Sequence, residues 1–446
     1  MSNSHMTGLK RHSLRMYVFL LLTATNPPFT NGQTSISKWQ FGKQGAVSIT
    51  YDDGSINQFR KALPIMNHLK LPATFFIITG QIPGSQYQGK FIGRPVSEII
   101  EESSSVLTNK DNFFERASAA GFLGYRGTLA YHTRAGALYD AGKEEEAYAI
   151  LDDLYQKVRN QEFLPDTGTR YGEIPADRVT WDEIRSFAAQ GHEFASHTVT
   201  HPYLCALDEV NINYELEKSR DEIQRQLGPE YTFSAEIPYG TEHERAMKYA
   251  HRVFPALRNR MPEHYLVELN RASTKNPVDF TEEYVQWQRG AVARTSLPMM
   301  KSWIDTTLLK DNIWLVLVIH GVDGIGWEAL SSEVLDEYFR YLKSKENHLW
   351  IATFGEVTKY MRSRMNARVQ SKSQDGKITV SLTHSLDKSL YQVPLTLKTY
   401  VPGHWNEVRI KQGNEIKRIR QQLDSAGAYV LYQAYPNSEE IELTAN

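Results

Sequence analysis

The sequence predicts an α/β protein built on a parallel sheet, with a small all-β unit after it. Three observations carry this. From Gly45 onward, short apolar runs alternate with segments of helical period, the pattern of βαβ units. A long stretch of helical pattern, residues 81–178, interrupts the alternation and reads as an insertion. After Asn366 the composition shifts to Ser, Gln, Lys and Asp around short alternating runs, the text of a small antiparallel sandwich over 366–446.

Size and composition allow this organisation. The 446 residues suffice for two or three domains. Hydrophobic residues make up 41% and charged residues 23%, with a net charge of -2, so the chain lacks the basic excess of a nucleic-acid binder. The single cysteine, Cys205, excludes an intrachain disulfide. Residues 1–33 read as a signal peptide. Lys10, Arg11 and Arg15 precede a short apolar core at 16–22, and cleavage is expected between Ala24 and Gln33. The expected location is therefore periplasmic or extracellular. No later segment is long and apolar enough to hold the mature chain in a bilayer. The sequence specifies no oligomeric state.

The elements follow in order within a main domain at 34–365. A buried strand at 46–50 runs into Asp52-Asp53-Gly54, and a helix is expected at 57–69 and a second strand at 73–78. The insertion reads as helices at 96–107, 112–123 and 136–161, with a helix–turn–helix look around Gly142. Thr180 or Asp182 caps the next helix, and a strand at 192–196 ends at His197. A long helix at 210–227, a strand at 232–237 and a turn at Pro238-Tyr239-Gly240 come next. The stretch 259–294 shows no clear period and reads as a second insertion. The apolar strand 313–319 ends in His320. The Gly-rich run after it makes a loop, without the Lys-Ser/Thr ending of a phosphate site.

Candidate site residues gather at strand ends, where α/β sheets carry their chemistry. Asp52 and Asp53 are adjacent carboxylates, which repel and resist burial unless a metal or a proton transfer uses them. Alone, Asp-Gly after a strand is also ordinary turn chemistry. His197 and His201 stand four apart, a spacing that places both on one face of a helical turn, as metal ligands need. Two imidazoles and one carboxylate leave open positions on a divalent ion, and a second carboxylate can take a proton from water.

These motifs resemble those of polysaccharide deacetylases, the carbohydrate esterase family 4 or chitooligosaccharide deacetylase type. Thr50-Tyr51-Asp52-Asp53-Gly54 matches the first motif with Tyr in place of Phe, and His197-Thr198-Val199-Thr200-His201 the second. Leu317-Val318-Ile319-His320 and the run 350–357 match the late motifs in order. The resemblance covers 45–362 and implies a distorted (β/α) barrel deacetylase domain. It implies that Asp52 is the general base, that Asp53, His197 and His201 bind one divalent metal, and that His320 is the general acid. The metal would be Zn²⁺ first, with Co²⁺, Ni²⁺ or Mn²⁺ as alternatives. The backbone N–H of Tyr239, after Pro238, would help stabilise the oxyanion. The implied substrate is an acetylated glycan of N-acetylglucosamine type, hydrolysed at its amide to acetate and a free amine. The alternatives are an O-acetyl (xylan) esterase on the same metal site and an inactive glycan-binding protein on the same scaffold.

The third motif departs from the pattern. Glu236 stands where the family has an Arg that steadies the base. Either Glu236 points away or another cation takes that role, and Arg258 is the candidate. Trp327, seven residues after His320, is expected to line the cleft. The insertion either shapes the cleft mouth or serves as a packing surface, and the C-terminal unit is either structural or carbohydrate-binding.

Overall fold

The computed structural model describes residues 32–166 and 177–446. The predicted signal peptide, apart from Gly32 and Gln33, lies outside the described residues. The central strand is β1 (Gly45–Asp53), buried along its length until Asp53. Around it run β2 (Thr74–Ile77), β3 (Glu193–Ser196), β4 (Ser234–Ala235), β5 (Ala256–Leu257), β6 (Val267–Leu269), β7 (Val285–Gly290), β8 (Ile313–Ile319) and β9 (Leu349–Ile351). The order is β5-β4-β3-β2-β1-β8-β7-β6, and every pairing is parallel. Two strands share one edge of β1: β9 pairs with Gly45–Val47 and β2 with Thr50–Asp53. Among the described residues no ladder joins β5 to β6, so the curled sheet is a distorted barrel that does not close.

Residues 259–294 are not an insertion. They supply β6 and β7, which extend the sheet beyond β8. Their period is masked because two inward positions of β7 are polar. Gln286 and Gln288 are buried and donate to the Arg258 carbonyl at 3.3 and 2.7 Å. A run with such residues does not read as apolar alternation.

The helical interruption is present between β2 and the helix Trp181–Ala189, with helices Val96–Glu102, Phe113–Ala120, Thr128–Asp140 and Glu144–Arg159. The helical stretch 136–161 breaks in two at Gly142, the place of the expected helix–turn–helix, and the first helix starts earlier, at Thr128; a side chain would resist the φ of +73° at Gly142. Phe113, Ala117, Leu151, Leu154 and Tyr155 form a core of their own. Thr180 is the cap of the next helix, in a reciprocal capping box with Glu183.

Beyond Asn366 lie two antiparallel sheets. One holds strands Arg368–Gln374, Lys377–Thr383, Ile441–Ala445, Glu407–Gln412 and Glu415–Arg420 in that order. The other holds Leu395–Tyr400, Gly427–Ala434 and Gln422–Asp424, and its outer strand is Thr34–Ile36 from the opposite end of the chain. Their inward side chains, among them Ile378, Val380, Leu397 and Val430, share one core with Trp350, Phe354 and Tyr360 of the barrel's last strand and helix.

One buried histidine of this framework gives the fold a pH dependence. His192, just before β3, accepts from the Ala73 N–H through Nδ1 at 3.2 Å, and its Nε2 lies 2.9 Å from Asn67 Oδ1. Burial pushes its pKa down to about 4. Below pH ~6.5 the unfolded chain binds a proton that the folded chain refuses, so stability falls with pH. The loss is expected to reach roughly 3 kcal/mol by pH 4. Urea midpoints measured at pH 7 and pH 4.5 should differ less for His192→Gln than for the wild type.

Candidate active site

Residues at or just past the carboxyl ends of β1, β3, β4, β6 and β8 line one cavity of 370 Å³. In the core beside the site, Tyr51 takes the place of the expected Phe. It is fully buried and stacks on Phe75 at 5.3 Å, and its hydroxyl has no hydrogen-bond partner. An unsatisfied buried hydroxyl opposes folding, so Tyr51→Phe is expected to raise stability by about 1 kcal/mol in thermal or urea unfolding.

Asp53 turns the chain with φ +74°, a conformation costly for a non-glycine residue and common at functional sites. Its Oδ1 lies 3.5 Å from His197 Nε2 and 3.3 Å from His201 Nε2. The two histidines meet at Asp53, but no helical turn brings them there. Residues 197–201 form an irregular loop, with φ +67° at Thr198 and +60° at His201, and not a helical turn. Buried Glu215 clamps this loop by accepting from Val199 N, Thr200 N and Thr200 Oγ1 at 3.0, 2.8 and 2.5 Å. From the β2 side, the Thr79 and Gly80 N–H groups donate to the Thr198 and Val199 carbonyls. A Cβ on Gly80 would sit 2.6 Å from the Val199 oxygen, so only glycine permits this approach.

The trio fits a divalent ion. One ligand atom from each of Asp53, His197 and His201 lies within 4.8 Å of the others. His197 Nδ1 is 2.7 Å from the Glu236 carbonyl, which sets it as the donor and leaves Nε2 with its lone pair toward Asp53. Burial is the largest influence on Asp53 and opposes its charge, but the two imidazoles hold its carboxyl far below the usual range. Two nitrogens and one oxygen suit zinc and its neighbours, with positions left for water and substrate. His201→Ala is expected to lose the roughly one bound divalent ion per chain, measured by elemental analysis.

Asp52 is 2% exposed and faces a different set of partners. Its Oδ2 accepts from Arg258 Nη2 at 2.6 Å and lies 3.3 Å from His320 Nε2, while its Oδ1 has no hydrogen-bond partner. Of the two readings of the third motif, the structure shows the second. Glu236 does not point away, and Arg258 bridges both acids. The Arg258 guanidinium is fully buried, bonds Thr50 Oγ1 at 2.5 Å, and meets the Glu236 carboxylate at 3.1 and 3.2 Å. The register explains the exchange. Ala235 pairs with Leu257, so Glu236 and Arg258 are the next residues on neighbouring strands, and the cation has moved one strand over. Burial pushes Asp52 up most strongly, but Arg258, His320 and His197 bring it down to about 2. Burial pushes Glu236 up, and the nearby Asp52 charge adds to that rise against Arg258. Of these two acids, both of which line the cavity, the shared cation therefore serves Asp52.

His320 closes the cluster. Burial lowers its pKa, against the pull of Asp52 and Asp53. Trp327 stands edge-on to its ring at 4.7 Å and is 56% exposed, so it lines the cleft. The glycines bring it there. Gly321 N donates to the Trp327 carbonyl at 2.9 Å, and a Cβ on Gly321 would meet Gly326 at 2.7 Å. Tyr239, at φ +65°, forms the opposite wall with its ring stacked on Tyr203 at 3.7 Å. Pro238 is buried and starts that turn without lining the cavity. The insertion reaches the site through Tyr203: His132 Nε2 accepts from Tyr203 N at 3.1 Å, two residues after His201. Three participants were not signalled by the sequence. Gln58 ties β1 to β8 by donating to the Asp52 and His320 carbonyls at 2.5 and 2.8 Å. The others are Glu215 and Arg271, which lines the cavity from just past β6.

The sequence profile of the polysaccharide deacetylase family matches residues 41–103 and 138–253, a span that holds Asp52, Asp53, His197, His201 and Glu236. That part of the parallel-sheet domain is similar to the polysaccharide deacetylase family. A gellan lyase from Bacillus sp. is 24% identical over 285 residues, 58% of this chain. The chain spans 11% of the length of that relative. Among solved structures, PdaA of Bacillus subtilis, a family 4 carbohydrate esterase, is similar at 12% identity and a TM-score of 0.33, over 73% of this chain and 83% of that one. A family 4 carbohydrate esterase from Bacillus anthracis matches at 12% identity and a TM-score of 0.32, over 74% and 88%.

Proposed function

We propose that this chain is an exported, metal-dependent hydrolase that removes acetyl groups from an N-acetylated glycan. The observation that carries the reading is the division of labour between adjacent acids. Asp53 meets two imidazoles, while Asp52 meets an arginine and a third imidazole. When bound by Asp53, His197 and His201, a divalent ion, Zn²⁺ by its donor set, would polarise the acetyl carbonyl and acidify a water. Asp52 Oδ1, unpartnered and ionised, accepts the proton of the attacking water. Arg258 holds Oδ2 so that Oδ1 stays turned to the cavity. The Tyr239 N–H donates to the oxyanion. The carbon–nitrogen bond then breaks, and the amine needs a proton. His320, whose Nε2 lies 3.3 Å from Asp52 Oδ2, gives a proton to the leaving nitrogen and is reprotonated from solvent as the water proton leaves Asp52 Oδ1. Acetate and a free amino sugar result.

The test is acetate and free-amine release by the metal-loaded protein on chitooligosaccharides and on acetylated xylan. Equal yields of acetate and amine from the former support amide hydrolysis. Acetate from xylan alone would convert the reading to an ester hydrolase, and no acetate from either would leave a glycan-binding scaffold.

A further inference from the structure

We propose that Arg271 is a carboxylate-recognising residue, so that the preferred substrate of the proposed hydrolase is an acidic N-acetylated glycan. The inference deepens that reading by naming the substrate class. Arg271 follows β6 at the same end of the sheet as the candidate site, and its side chain lines the cavity together with Asp53, His320 and Trp327. The approach is built into the backbone. A Cβ on Gly240 would lie 2.1 Å from Arg271 Nη2, and one on Gly290 would lie 3.7 Å from its Cδ. The guanidinium thus lies against a glycine at φ +65°, beside Tyr239.

What distinguishes Arg271 from Arg258 is its lack of partners. Arg258 is saturated by Thr50, Asp52 and Glu236. Arg271 makes no hydrogen bond or ion pair among the described residues, and its charge is felt by Glu236 and His320 at longer range. A planar guanidinium fork matches a carboxylate with two parallel hydrogen bonds. The half-exposed faces of Trp327 and Tyr239 offer stacking walls for sugar rings at the same mouth. A neutral chitin-type chain would leave the cation unanswered. A chain with a carboxylate close to the acetamide would answer it, carried either on a neighbouring uronate or on an ether substituent of the amino sugar.

Binding to the full chain, in the Asp52→Asn background so that the ligand persists, separates these cases. The probes are a glucuronate–N-acetylglucosamine oligosaccharide, an N-acetylated oligosaccharide bearing a lactyl ether, and the carboxyl-reduced form of each. Titration calorimetry is expected to show about tenfold tighter binding of one carboxylated probe than of its reduced form, and the probe that shows it identifies the source. Arg271→Gln should abolish that preference and leave the reduced probe within twofold. Equal binding of carboxylated and reduced probes, or equal weakening of both by Arg271→Gln, would overturn the proposal. Acetate release by the wild-type protein is scored separately. Carboxylate-dependent binding without acetate sinks the hydrolase reading and leaves the role of Arg271 standing.

Discussion

Arg258→Met is expected to destabilise the protein by about 3–5 kcal/mol, the usual consequence of removing one partner from a buried ionic cluster. The guanidinium is 0% exposed and is the cation that Asp52 and Glu236 share. Without it two carboxylates face each other away from water, and at least one must protonate. Glu236, already pushed upward by burial and by Asp52, is the one that yields. Glu236→Gln in the Arg258→Met background should therefore recover part of the loss, and a double-mutant cycle in urea measures the coupling. The rate should report the same change. Arg258 holds the base low, so its removal raises the Asp52 pKa and moves the acid limb of kcat/KM to higher pH. A variant as stable as the wild type, with an unmoved acid limb, would refute the shared-cation account.

Asp52→Asn is expected to lower acetate release by about 10²–10⁴-fold, the range for loss of a positioned base. It should leave one divalent ion per chain, because Asp53, His197 and His201 are untouched. Asp53→Asn should lose the ion and the activity together. Parallel metal analysis and turnover of the two variants then test whether adjacent acids hold separate offices. Loss of metal in Asp52→Asn, or full activity in it, would dissolve the distinction.

The site was legible where a motif sits at a strand end, because the parallel sheet brings such ends together whatever lies between them. The Asp52-Asp53 pair, His197 and His320 are far apart in sequence and adjacent in space for that reason alone. Arg258 was legible only as a missing charge: Glu236 announced that a cation was needed, and the register of β4 and β5 supplied it. Gln58, Glu215 and Arg271 carried no signal. Gln58 and Glu215 lie on helical segments whose pattern reports only which face is apolar, and Arg271 lies in a stretch without a period. Strands were read where an apolar run marks them, as in β8. They were missed where the residues are exposed, as in Glu415–Arg420, or polar and buried, as in β7. The left-handed residues at Asp53, Thr198, His201 and Tyr239 leave no mark in a periodicity, because their conformation is imposed by what surrounds them.

The pairing of Thr34–Ile36 with Leu397–Thr399 sets a rule of timing for this chain. Thr34 Oγ1 meets Thr399 Oγ1 across 365 residues of sequence. A ribosome releases the first of these residues long before the second, and a contact of such separation forms late. The barrel can therefore assemble while its leading strand still hangs loose, and the last sheet completes only when the tail arrives to receive it. A protein cut anywhere between residue 37 and the C-terminal strands would leave an open sheet edge on one piece and an unpaired strand on the other. The strand before the barrel and the sheet after it are a single clasp, fastened last.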